Sequence, residues 1–424
     1  MLDIKFIRQN PDQVKEGCRK KQIKVDIDRL LEIDKKRKEL LLALEDIRAQ
    51  KNKANDEIKQ IHDKKEKEVV ILKMREMDQG NDRLEVEFKE VDAEFQGLLR
   101  SIPNLPLEGV PEGKDDRENK VIRTVGERTQ FDFTPQDYLE LGQSLDLIDT
   151  ERAGKTSGSR FGFLKNEAAL LEFAIVNLAM ETAAQHGFIP VVPPVLLKPE
   201  MMEGMGYVER GGEEIYFLEK DNLYLIGTSE QMIGPMHADE IFDEKNLPKR
   251  YIGFSSCFRR EAGSYGKDTR GILRVHQFDK VEMFSFCLPE NSIKEHQLLL
   301  SIEEELMGKL KLPYHVLQIC GGDLGDPAAA KYDVEAWLPS QEKYRETHST
   351  SNCTDYQARR LNIRYRKKDG SLEFVHTLNG TAFAIGRTLI AILENCQQKD
   401  GSIKVPEALQ KYVSFKEIRR DRSS

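Results

Sequence analysis

Two heptad seams between residues 30 and 98 restrict this chain more than any other feature. Leu30, Ile33, Arg37, Leu40, Leu44, Ile47, Lys51, Ala54, Ile58 and Ile61 step three, four, three, four without a break. Val70, Met74, Met77, Asn81, Leu84, Phe88, Val91, Phe95 and Leu98 repeat the alternation. That spacing keeps one stripe of a helix turned toward a partner, the pattern of a coiled coil. Between the seams, His62-Asp63-Lys64-Lys65-Glu66-Lys67 is polar and carries no stripe. It reads as a turn, so two helices fold back as an antiparallel hairpin. Each arm is roughly 50 Å long at 1.5 Å per residue. Such a rod buries one narrow seam and has to project from a body. Its outer face carries Lys35, Lys36, Lys38, Arg48, Lys53 and Lys59 among interspersed acids. Taken alone, these suit either an ordinary solvated exterior or a surface that lies along a phosphate backbone.

The body comes after the seams. Ser101-Ile102-Pro103-Asn104-Leu105-Pro106 ends the second helix, because proline cannot continue it. The boundaries that follow are 1–104 for an N-terminal domain with its arm at about 28–100, a linker at 105–130, and a second domain at 131–424. Beyond Leu164, helical stretches at 164–185, 292–311 and 388–395 alternate with strand-like runs and at least one hairpin. That order predicts an α+β body with a largely antiparallel sheet flanked by helices. Gly154 to Gly162 reads as a loop. Its Gly154-Lys155-Thr156 lacks the upstream glycine of a P-loop, since Asp149 stands there.

Composition excludes several classes. A net charge of -8 argues against a chain that is basic all over, while leaving room for a local basic stripe. The six cysteines are scattered with no C-x-x-C pair, so neither a disulfide framework nor a zinc site is expected. The N-terminus, MLDIKFIRQNPDQVKE, has no apolar signal core, and no run is apolar enough to span a membrane. A cytoplasmic protein is the expectation.

The stretch Phe254 to Glu282 carries the chemistry. An apolar run ends in Arg259-Arg260-Glu261, a loop punctuated by Gly263, Gly266 and Gly271 follows, and the chain returns through Arg274, Val275 and Phe278 to Glu282. Strand, polar loop and returning strand make a hairpin. Arginines can clamp a phosphate through two donors, an aromatic offers a stacking surface for a purine, and a carboxylate accepts from an exocyclic amine. Together these are the parts of a nucleotide site without a glycine-rich P-loop; taken singly, they suit a surface hairpin with solvated charges as well. Elsewhere, Thr228-Ser229-Glu230 sets a hydroxyl and a carboxylate where a strand ends, and Glu346-Thr347-His348-Ser349 packs an acid, a histidine and hydroxyls together. Asn379, Thr381 and Arg387 lie on a strand-to-helix passage suited to an anion.

Phe258-Arg259-Arg260-Glu261 with Arg274 and Phe278 resembles motif 2 of the class II aminoacyl-tRNA synthetases. Gly386-Arg387 resembles motif 3, and Gly187 to Pro194 resembles motif 1. The segments SGSRFGFLK, SNCTDYQARR, HTLNG and GRTLIAILEN, behind the N-terminal hairpin, are similar to the seryl-tRNA synthetases of the common bacterial type across nearly the whole chain. The resemblance implies a class II antiparallel sheet and an ATP-dependent ligase that makes seryl-adenylate and charges tRNA(Ser), with tRNA(Sec) a candidate second substrate. It implies Arg259 and Arg387 as catalytic residues. ATP would be held by these two with Arg260, Glu261, Arg274, Val275, Phe278, Glu346, Thr347, His348 and Ser349. Serine would be held by Thr228, Ser229, Glu230, Arg259, Glu282, Asn379 and Thr381, and Mg2+ by Glu346 and Ser349. The resemblance further implies a homodimer, an arm that grips tRNA, and a loop from Ala262 to Leu273, with Lys267 and Arg270, that meets the tRNA acceptor end. Thr347 and His348 stand where the family usually has Val or Ile and then Ser.

Overall fold

The computed structural model describes residues 1–262, 268 and 270–420. The expectations resting on Gly263, Gly266 and Lys267 lie outside the described residues. The chain forms two compact units, one of Leu2–Arg19 and Ile23–Pro103, the other of Met1, Lys20–Gln22 and the chain from Asn104 onward.

In the first unit, helices α1 (Ile27–Gln60) and α2 (Lys64–Ser101) run antiparallel. Pairing shows the direction: Arg29 Nε meets Glu94 at 2.8 Å and Lys36 Nζ meets Glu87 at 2.7 Å, so partners fall in number as α1 rises. Leu30, Ile33, Leu40 and Leu44 of α1 and Val91, Phe95 and Leu99 of α2 are buried. Toward the turn, Ile47, Lys51, Ala54 and Ile58 are half-buried between exposed neighbours. The turn is shorter than the sequence suggests, because Asp63 already caps α2. Its side chain accepts from the amides of Lys65 at 2.8 Å and Glu66 at 3.0 Å, which fixes a helix start at Lys64.

The second unit is built on an eight-stranded sheet. Its strands are β1 (Lys120–Val125), β2 (Ile189–Val191), β3 (Lys249–Phe258), β4 (Gln277–Cys287), β5 (Tyr314–Gln318), β6 (Ala330–Leu338), β7 (Lys343–Asn352) and β8 (His376–Ala384). They lie side by side in the order β1-β5-β6-β7-β8-β4-β3-β2, and every pairing is antiparallel except the edge pair β2–β3. Helices α3 (Asn166–Gln185), α4 (Ser292–Leu310) and α5 (Ile385–Cys396) contribute to one core with the sheet. Val281 and Met283 of β4 and Leu378, Ala382 and Phe383 of β8 belong to that core. Phe278, Lys280 and Glu282 on β4, and Asn379 and Thr381 on β8, line a cavity. A strand alternates its side chains between two faces, so the sheet separates an apolar face from a polar one.

Two segments differ from the sequence reading. The stretch at 105–130 is more than a linker, because β1 adds an edge strand against β5. The first part of the loop expected at Gly154 to Gly162 is helical, because residues 154–157 close a helix over Thr150–Ser157; Asp149 caps its start and Gly158 ends it at φ +96°. A lone glycine at a C-terminus with positive φ stops a helix without breaking what precedes it.

Arg37 occupies a seam position normally apolar. Its Nε meets Asp92 at 2.5 Å, and its guanidinium lies 4.9 Å from the Phe95 ring centre. Replacing it with alanine removes a partly buried ion pair and a cation–π contact. Arg37→Ala should destabilise the helical hairpin by about 1 kcal/mol, read by chemical denaturation; an unchanged midpoint contradicts the assignment.

Candidate active site

The polar face of the sheet opens into a cavity of about 660 Å³. Of the residues singled out from sequence, Arg259, Glu261, Arg274, Val275, Phe278, Glu346, Thr347, Ser349 and Arg387 line it, as do Thr228, Glu230, Glu282, Asn379 and Thr381. They come from a hairpin, a turn, two further strands and the start of helix α5, and sheet register brings most of them together. Between β6 and β7 the register slips at Thr347, so Val334 faces His348 while Glu335 faces Glu346. Such a bulge re-aims side chains, and both Glu346 and Thr347 reach the cavity. Between β4 and β8 the same slip at Ala382 places Glu282 opposite Thr381.

Three expected residues stand elsewhere. His348 points away from the cavity and packs against the Phe383 ring, centres 5.3 Å apart, with Nδ1 2.8 Å from Thr347 Oγ1. Burial holds its imidazole down to about 3, so it stays neutral. Arg260 turns outward, its Nε donating to Ile215 O at 3.1 Å and its guanidinium lying 4.8 Å from the Tyr216 ring centre. Ser229 is fully buried and donates to Gly253 O at 3.2 Å, so it braces the turn beneath Thr228 and Glu230.

One end of the cavity is rich in cations. Arg259 follows β3, with Nε on Gly227 O at 3.2 Å and its guanidinium 5.3 Å from the Phe278 ring centre. Arg274 Nη1 donates to Glu261 at 2.7 Å. Arg387 opens α5 and reaches Glu346 Oε2 at 3.1 Å. Burial works against the charge on Glu346, but Arg387, then Lys331, Lys280 and Arg259, outweigh it and hold the carboxyl at about 2. Arginines around an open carboxylate suit a polyphosphate, whose oxygens can replace the carboxylate on the guanidiniums.

The other end is acidic and more enclosed. Thr381 Oγ1 donates to Glu282 Oε1 at 2.8 Å, and Lys280 pairs with the same carboxylate. Glu230 accepts from Tyr207 Oη. Burial and Glu282 push the Glu230 carboxyl up to about 7, against the pull of Lys280, the Tyr207 hydroxyl and Arg259. Thr228 keeps its hydroxyl buried with no partner among the described residues. Two carboxyls and an unspent hydroxyl in one small pocket are fitted to a ligand that brings an ammonium group and a hydroxyl.

Sequence reasoning missed Tyr207, Lys280 and Lys331, all of which line the cavity. Lys280 carried a signal, since it alternates with Phe278 and Glu282 on a strand. Tyr207 carried none; it stands in a glycine-rich stretch, and only the fold brings it to Glu230.

A family model described as the tRNA synthetase class II core domain (G, H, P, S and T) matches residues 216–396. A second, the seryl-tRNA synthetase N-terminal domain, matches residues 1–106. The serine–tRNA ligase of Dictyoglomus turgidum is 47% identical over 99% of both chains. Seryl-tRNA synthetase of Pyrococcus horikoshii, solved with ATP, superposes with a TM-score of 0.90 at 40% identity, covering 99% of this chain and all of that one. The cytoplasmic enzyme of Naegleria fowleri, solved with AMP, gives 0.86 at 33% identity, covering all of this chain and 99% of its own. The core is thus that of a class II aminoacyl-tRNA synthetase. The chain belongs to the seryl-tRNA synthetase family.

The Tyr207–Glu230 contact has a measurable consequence. Folded Glu230 keeps its proton to about pH 7, whereas an ordinary glutamate releases it near 4.5. Between those values the folded state binds more protons than the unfolded one, so stability falls as pH rises. Tyr207→Phe removes a donor that favours the ionised form, so the fall should extend to higher pH than in the parent, read by denaturation between pH 5 and 9. A fall that ends at the same pH in both proteins contradicts it.

Proposed function

We propose that this chain activates L-serine with ATP and transfers the seryl group to the 3′ end of tRNA(Ser). The observation that carries the reading is the juxtaposition, in one cavity, of the arginine–aromatic clamp and the acid pair Glu230–Glu282. The serine carboxylate attacks the α-phosphorus of ATP; a new P–O bond forms and the bond to pyrophosphate breaks. The terminal ribose hydroxyl of the tRNA then attacks the mixed anhydride, and AMP leaves. Both steps need positioning and charge stabilisation more than proton transfer.

Arg259 clamps the α-phosphate, Glu261 accepts from the adenine amine, Phe278 stacks one adenine face and Arg387 covers the other. Arg274 holds Glu261 in place, and Val275 walls the base. Glu282, fixed by Thr381 and Lys280, receives the ammonium or the side-chain hydroxyl of serine, with Thr228, Glu230 and Asn379 around it. An alanine substrate would leave a buried hydrogen-bonding group unpaired, which is how a polar pocket rejects an isostere lacking a hydroxyl.

Glu346 and Ser349 are the residues that would hold Mg2+. They offer hard oxygen donors at the cation-rich end, and no group of three or more His, Cys, Asp or Glu forms a ready metal cage among the described residues. One carboxylate and one hydroxyl fit an ion that takes most of its ligands from phosphate oxygens and water. Bound there, the ion would neutralise charge on the phosphates.

The hairpin of α1 and α2 grips the tRNA through the lysines and arginines of its outer face, which stand among interspersed acids. The exposed Phe173 and Val192, 59% and 79% accessible, suit burial against a second copy of the chain. No helix is long and apolar enough to cross a membrane among the described residues.

Serine-dependent ATP–pyrophosphate exchange should occur, and Arg259→Ala should lower it by about 10³-fold or more. Failure of every amino acid to support exchange at saturating Mg2+ refutes the reading. Replacing residues 30–100 by a short turn should leave exchange intact and sharply reduce charging of serine tRNA. Equal charging by the shortened protein removes the role given to the hairpin.

A further inference from the structure

The wall at the acidic end of the cavity is a short turn, Gly325-Asp326-Pro327-Ala328, of which Gly325, Pro327 and Ala328 line the cavity. Its four successive carbonyls all point the other way, and each is taken by one of two residues distant in sequence. Lys21 Nζ donates to the carbonyls of Gly325 at 2.8 Å, Asp326 at 3.2 Å and Ala328 at 2.6 Å. The amide of Asn104 donates to Asp326 O at 2.9 Å, and its Nδ2 to Pro327 O at 2.8 Å. Nδ2 also meets Cys353 O at 2.8 Å and Thr354 Oγ1 at 3.0 Å. Cys353 lines the cavity too, and its thiol stands 3.8 Å from the side-chain amide of Asn379. Lys21 and Asn104 are each only 3% exposed.

A buried ammonium is costly unless its donors are all satisfied, and buried carbonyls without donors are costly as well. Lysine meets both demands here with a compact three-donor head on a long stem, a shape that a planar guanidinium does not reproduce. Removing that head takes a donor from three carbonyls directly behind the cavity wall: Asp326 O keeps the Asn104 amide and Gly325 O the Ala328 amide, while Ala328 O loses the ammonium that holds it at 2.6 Å. The turn then has to rotate to find water, and it carries Pro327 and Ala328 with it. At the cation-rich end Arg259, Arg274, Phe278, Glu346 and Arg387 come from the β3–β4 hairpin, β7 and α5 and do not depend on this clamp; Lys331, on β6, is the one group there that follows the turn closely in sequence.

We propose that Lys21 and Asn104 are positioning residues for the amino-acid end of the cavity. These two residues, which belong to the same compact unit as the cavity, therefore serve amino-acid activation directly, apart from any grip on tRNA. The inference rests on the serine-activating reading above and names a determinant of it that lies far from the class II motifs in sequence.

The test is ATP–pyrophosphate exchange titrated separately in serine and ATP, on full-length Lys21→Met, Lys21→Arg and Asn104→Ala. Lys21→Met should raise KM for serine about tenfold or more while KM for ATP stays within about twofold. Lys21→Arg, which keeps the charge but not the shape, should fall between parent and Lys21→Met. Asn104→Ala, which spares the buried cation, covers the case in which Lys21→Met does not fold, and should also move serine KM alone. An unchanged serine KM in folded Lys21→Met or Asn104→Ala overturns the proposal, and so does an equal rise for both substrates. Absence of exchange in the parent protein would instead remove the serine reading itself.

Discussion

Which face of the sheet a side chain occupies decides everything that the cavity can do. Strands β4 and β8 deliver Glu282 and Thr381 to the polar face because they pair with a one-residue slip at Ala382. Strand β7 delivers Glu346 and Thr347 together because it slips at Thr347. Without those slips alternation would carry half of these groups into the apolar core against α3 and α4, where an unpaired carboxylate is expensive. Buried charge is tolerated because each end of the cavity is internally balanced. Glu346 sits among arginines and lysines, and Glu282 lies between Lys280 and Thr381.

The balance at the two ends differs in kind, and the difference suits two ligands. At the phosphate end the cations win, leaving a carboxylate ionised and guanidiniums that a polyphosphate can recruit. At the amino-acid end the carboxyls are crowded, and Glu230 sits near neutrality because burial and Glu282 oppose its charge. A cationic group placed beside the two carboxyls would favour the ionised form of Glu230, the reverse of what burial and Glu282 do.

Much of this was legible from the residues. The unbroken three-four spacing fixed both long helices, and the proline-rich stretch at 101–106 fixed where the second ends. The arginine, acid and aromatic of Phe254–Glu282 announced a nucleotide clamp, because few other uses need all three in one hairpin. What stayed hidden is which face each motif neighbour takes. Ser229, Arg260 and His348 each lie next to residues that line the cavity, yet turn, loop or strand geometry directs each of them away. Tyr207, Lys21 and Asn104 were invisible for a different reason: their partners are distant in sequence, so no local pattern encodes them.

The central claim is that one continuous cavity holds both halves of a seryl-adenylate. A non-hydrolysable sulfamoyl analogue of that adenylate tests it most directly by isothermal titration calorimetry. Binding should be at least about 10²-fold tighter than AMP alone, as expected when two subsites are occupied by one tethered molecule, and Glu282→Gln should remove most of that gain. An affinity no better than that of AMP, or a gain that survives Glu282→Gln undiminished, would contradict it.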